Sequence, residues 1–335
     1  MKTKLIISLL ILFISTSFAK EKPKRNNNAV WGFYGHKKIN RIAVFTLPKG
    51  MFSFYKKNIE YITEHAVDPD KRRYALKGEA PRHYIDIDHY HHDSLTPFEF
   101  VPKKWQDAVT KFSEDTLQAY GIVPWHVITM QHWLTMAFKE KDVNKILKLS
   151  AEIGHYIGDA SVPLHTTENY NGQLTNQKGI HGFWESRIPE LFSEEYDFWI
   201  GQSTYIENPL DYIWTRVEES HNALDSVLGF EKKLNNSYPS DQKYAYDNRG
   251  TQTIKTYSKE YSKKYQDMLD GMVERRMRSA ITSVGNFWYT AWMNAGQPDL
   301  NNLKSKKLTE QEIKENKKLE EEYKKGKIKG REHSH

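Results

Sequence analysis

Between Tyr265 and Gly296 the chain reads YQDMLDGMVERRMRSAITSVGNFWYTAWMNAG. Leu269, Met272, Val273, Met277, Ala280, Ile281, Val284, Phe287, Trp288 and Ala291 recur there at spacings of three and four, the rhythm of one helix face. The spacing predicts a single long helix. Other stretches follow the same period. KKINRIAVFTLP sets Ile39, Ile42, Ala43 and Phe45 on one face and stops at Pro48, and WQDAVTKFSEDTLQAYG repeats Trp105, Val109, Phe112 and Leu117 before Gly121. Convincing period-2 strands joined by Asn-Gly turns are missing. The expected class is all-α, a single multi-helix domain, and 38% hydrophobic residues in 335 are enough to give it a core.

The two ends differ from this body. Residues 1–19, MKTKLIISLLILFISTSFA, combine two lysines, an apolar run and small residues at Ser17 and Ala19, the pattern of a signal peptide. The apolar run is too short to span a bilayer comfortably, so an exported, soluble mature protein, periplasmic or secreted, is expected. Residues 20–30, KEKPKRNNNAV, read as a flexible leader or propeptide, and residues 31–300 as the domain. In residues 301–335, eleven Lys and Arg face seven Glu from Lys304 onward; this reads as a charged tail, flexible or a solvated helix, unable to bury a core of its own. The formal charge of +6 is too small to argue for nucleic acid by itself. With no cysteine, there are no disulfides and no thiolate metal sites, so any metal must be held by His, Asp, Glu or main chain.

Such residues crowd into IGHYIGDASVPLHTTENYNGQLTNQKGIHGFWE. His155 and Asp159 are four apart, and so are His181 and Glu185, which places each pair on one helix face. His165 follows a loop containing Pro163 and approaches from another direction. Imidazole with carboxylate suits zinc in a site without sulfur. A core histidine beside a surface acid explains one such pair better than a metal does; two pairs and a third histidine in one segment reverse that and favour the metal. Glycines beside His155, Asp159 and His181 allow close approach by other elements. Upstream, Trp31 and His36 are five apart and Asp68 and His83 fifteen apart, while His89, His91 and His92 lie in a polar stretch that reads as a solvated loop.

Taken in order, Trp31, His36, Asp68, His83, His155, Asp159, His165, His181 and Glu185 resemble the ligand series of the zinc-dependent phospholipase C superfamily, which also contains the fungal single-strand-specific zinc nucleases. The wording HYIGDASVPLH carries the resemblance locally. It implies an all-α fold with a metal cleft and three zinc ions. By that resemblance Asp68, His83, His155 and Asp159 hold the first, His165, His181 and Glu185 the second, and Trp31, His36 and Asp159 the third. It also implies a phosphodiester hydrolase in which zinc-activated hydroxide attacks phosphorus in line, with Asp68 orienting the water or taking its proton. Members of the family are usually monomers.

The substrate stays open between a phospholipid head group, with transient contact to a membrane surface, and single-stranded nucleic acid. HGFWES and GDASVPLH resemble the nuclease branch, whereas Glu185 and the sixteen-residue gap from His165 to His181 resemble the phospholipase branch. Tyr84 and Asp86 correspond to positions that shape a base pocket in the nucleases; as core and helix cap they need no ligand. Lys71 and Arg72 are candidates for phosphate, against a solvated basic run. A different class is a catalytically idle, zinc-bound extracellular binding module, which the complete ligand series argues against.

In the family the third zinc is bound by the free amino group of an N-terminal Trp. Here signal cleavage leaves Lys20 first, so either a second cut exposes Trp31 or the third site uses Trp31 only through its carbonyl or not at all. A mature chain beginning at Trp31 is the expectation. Intact-mass measurement on protein from the native host checks it, and a fully active chain starting at Lys20 would remove it.

Overall fold

The computed structural model describes residues 33–249 and 252–329. The signal peptide, the leader and Trp31 lie outside the described residues.

Four helices form the body: Phe33–Ala43, Val123–Lys139, Val143–Ala160 and Met272–Asn294, with Val143–Ala160 and Met272–Asn294 packed against each other and each against the remaining two. Val143–Ala160 is innermost, and every residue from Ser150 to Ala160 is buried. Asp142 starts it by accepting from the Lys145 amide at 3.2 Å, satisfying one of the amides a helix start leaves unpaired. Met272–Asn294 lies alongside, with Phe287 and Trp288 fully buried. Removing a side chain such as Phe287 from water is worth about 1.5–3 kcal/mol. Trp288 also stacks on Tyr55 and donates its indole N–H to the Ser150 carbonyl at 3.0 Å.

The helix expected over 265–296 is two helices. Lys259–Met268 ends before Asp270 and Gly271, which take φ of 48° and 71°, and Met272 begins a new axis. The apolar rhythm runs through this break because both helices bury their faces in one core; Asp-Gly was the punctuation in the sequence. Likewise, Trp105–Phe112 and Glu114–Tyr120 are separated by Ser113 at φ 69°, whose side chain caps the second helix. Phe45 is 53% exposed, because the first helix tightens into a 3-10 turn at Val44 and the face rotates.

The all-α class holds, with one addition. Tyr244–Arg249 and Gln252–Tyr257 pair antiparallel as an isolated hairpin. The chain after Asn301 carries a helix, Glu310–Lys324, that buries no residue. Its far end docks nonetheless: Tyr323 packs edge-on to Tyr74, and the Lys329 amide donates to the Arg73 carbonyl at 2.8 Å. No helix among the described residues is long and apolar enough to cross a membrane.

The first helix crosses Val143–Ala160 at two glycines. A Cβ on Gly154 would lie 2.8 Å from Asn40 Cγ, and one on Gly158 would lie 2.8 Å from His36 Nδ1. Asn40 is buried and donates to the Ala151 carbonyl at 2.9 Å, so it cannot swing aside without leaving polar atoms unpaired. Gly154→Ala is therefore expected to destabilise the protein by about 1–3 kcal/mol despite alanine's better helix propensity. Urea denaturation measures this, and an unchanged midpoint would show that the two helices part freely.

Candidate metal centre

Five histidines and three carboxylates converge at the crossing of these helices. His36 comes from the first helix, and His155 and Asp159 from one face of Val143–Ala160. That helix ends at Ala160, and the 3-10 turn Pro163–Thr166 folds His165 back onto it. His83 closes the 3-10 turn Ala80–His83, and Asp70 lies in the short helix Asp68–Arg72. His181 and Glu185 share a turn whose second part, Phe183–Arg187, widens to a π-helix, a distortion frequent at functional sites.

The ligand atoms form three groups: Asp70, His83 and His155; His165, His181 and Glu185; and His36, His155 and Asp159. Within each group they lie within 4.8 Å of one another. Asp159 joins the groups. Its Oδ2 is 2.9 Å from His83 Nδ1 and 3.3 Å from His155 Nε2, and its Oδ1 is 3.3 Å from His36 Nε2 and 3.8 Å from His165 Nε2. Glu185 reaches His181 Nε2 at 2.7 Å, His36 Nε2 at 3.4 Å and His165 Nε2 at 3.5 Å.

The donor set fits a cation on its outer bonds as well. His155 Nδ1 sits 2.8 Å from the Ala66 carbonyl, His165 Nδ1 2.5 Å from the His83 carbonyl, and His181 Nδ1 3.1 Å from the Tyr170 carbonyl. A carbonyl only accepts, so each ring carries its proton on Nδ1 and turns the Nε2 lone pair inward. This is how histidine ligands are held for metals.

Electrostatics point the same way. Burial opposes a charge on His36, but hydrogen bonds to Asp159 and Glu185 outweigh it and push its pKa up to about 10. Burial also raises Asp159 and Glu185, yet the surrounding histidines hold both well below the ordinary carboxylate range. Burial lowers His155 and His181. The buried Asp159 and the largely shielded Glu185 thus demand positive charge, and a divalent cation supplies it without protons.

Asp68 stands outside the groups. It pairs with His65 Nδ1 at 2.5 Å and Lys71 Nζ at 2.9 Å, while Asp70 Oδ1 faces His155 Nε2 at 3.7 Å and His83 Nδ1 at 3.8 Å. Residues two apart on a helix point to different sides, so in DPD only one aspartate can face inward. Asp70 is the residue that sequence reasoning passed over.

The positions suggested for substrate are also occupied otherwise. Tyr84 and Asp86 are buried, 5% exposed each. Lys71 is paired with Asp68, and Arg72 is fixed by Glu152 at 2.6 Å, with Tyr156 and Glu79 beside it. Arg72 thus turns inward, because the buried Glu152 and Glu79 pair with it, whereas Lys71 keeps a partly exposed pair with Asp68. His91 and His92 are exposed and His89 stacks on Tyr120, and none of the three joins the ligand groups.

Residues 35–267, more than two thirds of the chain, match the family model described as zinc dependent phospholipase C, and the chain belongs to that family. Comparison with curated proteins gives no match. Zinc is accordingly the cofactor of this centre.

Against the effect of burial, hydrogen bonds to Asp159 and Glu185 raise the His36 pKa to about 10, which favours a proton on the metal-free ring at neutral pH, one that a bound cation would displace. Adding zinc to chelator-stripped protein at pH 7 should therefore release protons, and affinity should rise with pH. Calorimetry in buffers of different ionisation enthalpy reads this, and uptake without proton release would contradict the charge balance described.

Proposed function

We propose that this zinc-dependent phospholipase C family member hydrolyses phosphodiester bonds in phospholipids and is exported to do so, its mature chain beginning at Trp31. The observation that carries the hydrolase reading is the convergence of His36, His83, His155, His165 and His181 with Asp70, Asp159 and Glu185 in one buried cluster.

These eight residues would hold the zinc, with Asp159 shared between groups. Zinc bound here supplies Lewis acidity, stabilising charge on a phosphoryl oxygen and making water a better nucleophile at neutral pH. The protein's part is positional. The carbonyls of Ala66, His83 and Tyr170 hold three imidazoles in one tautomer. Asp70, 14% exposed at the edge of the cluster, orients the attacking water and accepts its proton, the role the resemblance gave to Asp68. Family membership supports a lipid substrate, and the burial of Tyr84 and Asp86 gives them little surface to offer a nucleobase.

Zinc-loaded protein is to be offered phosphatidylcholine vesicles, single-stranded DNA and RNA, and a bis-aryl phosphodiester. Release of phosphocholine from vesicles is expected. Cleavage of nucleic acid alone would replace the lipid reading, and no hydrolysis at all would leave a binding module. Asp70→Asn should lower activity by about 10²–10⁴-fold. Asp68→Asn should remain within a few-fold of wild type, and the reverse ranking would return the role to Asp68.

A further inference from the structure

One buried acid close to the cluster has no place in the ligand series. Glu79, fully buried, stands immediately before the Ala80–His83 turn. Its Oε1 accepts from the Tyr156 hydroxyl and lies 3.3 Å from Arg72 Nη2, and its Oε2 accepts from Arg82 Nη1 at 2.9 Å. The same Oε1 faces His83 Nε2 at 3.7 Å.

Neutralising the arginines does not account for it. Arg72 already has Glu152 at 2.6 Å, and Arg82 is 35% exposed and can be solvated. The group left wanting is His83. Its Nδ1 points into the cluster, 2.9 Å from Asp159 and 3.1 Å from His155 Nε2. Its Nε2 is buried and has no hydrogen-bond partner among the described residues. The geometry is thus inverted relative to His155, His165 and His181, which present Nε2 inward and spend Nδ1 on carbonyls.

We propose that Glu79 is a positioning residue for the metal centre: it takes the Nε2 proton of His83 in a hydrogen bond, so that His83 binds zinc through Nδ1. Tyr156, Arg72 and Arg82 hold the carboxylate for that task. Closing 3.7 Å to a charge-assisted hydrogen bond asks for a shift of less than 1 Å, which zinc bound at the other nitrogen would favour. Glu79 and His83 are four apart, the spacing of the two ligand pairs, so the pairing has a trace in the sequence.

This inference rests on the zinc reading of the cluster, and the test separates the two. Full-length protein, stripped with chelator, is titrated with zinc against a competing chromophoric chelator, for wild type, Glu79→Gln and Glu79→Asp. The tightest-binding zinc of Glu79→Gln should weaken about 10–100-fold, the effect of losing a histidine's outer hydrogen bond. Glu79→Asp should fall between it and wild type. Should the variants fail to fold, nitrogen-15 NMR of the wild-type imidazoles decides: His83 should show a protonated Nε2 and a zinc-bound Nδ1, while the other cluster histidines anchored to carbonyls show the opposite. Equal zinc affinity in folded Glu79→Gln, or a zinc-bound Nε2 on His83, overturns the proposal and leaves the metal centre standing. A wild type that takes up no zinc overturns both.

Discussion

A carboxylate deep in a helical core stays ionised only if positive charge comes to it. Asp159 is such a carboxylate, and the structure is arranged around meeting that demand. Four histidines reach it: His36 and His83 from the first helix and the Ala80–His83 turn, both distant in sequence, and His155 and His165 from its own helix and the turn after it. Each contact is also a packing constraint. His36 can approach only because position 158 is glycine, and the same crossing needs glycine at 154 to seat Asn40.

The helix bearing His155 and Asp159 is fixed at its C-terminal end by Arg276. That guanidinium, buried between helices, donates to the Ser161 and Arg216 carbonyls at 3.0 Å each and pairs with Glu219 at 3.1 Å. Free carbonyls at a helix end need donors, and a cation there also suits the helix dipole. The ligand helix is thereby tied to Met272–Asn294 and Pro209–Asn222 just where His165 must turn back. Main-chain carbonyls then set the imidazole tautomers, so ring orientation is decided by backbone that is itself held in the core.

Much of this was legible in the chain. The helix period located the main elements because apolar faces follow from local geometry. The His-x3-Asp and His-x3-Glu pairs were readable for the same reason. Asp70 was not: DPD offers two aspartates, and which one turns inward depends on His65 and Lys71 capturing Asp68. The break at Asp270–Gly271 was hidden because both helices serve one core, so their apolar rhythm continues across it. Tyr84, Asp86 and Arg72 illustrate the opposite limit, since residue type suggests a surface role and only packing shows them turned inward. Glu79 had a visible spacing to His83, but nothing along the chain says that His83 leaves one nitrogen without a partner.

From the sequence alone come the helical class, the supply of nitrogen and oxygen ligands without sulfur, and the resemblance to zinc phosphodiesterases. These depend on residue type and on spacing within a turn or two. Tertiary structure alone decided which aspartate joins the cluster, which nitrogen each histidine presents, and which polar side chains are spent inside. Those outcomes depend on what each group meets across the fold, and burial makes an unpaired polar atom too costly to leave to chance.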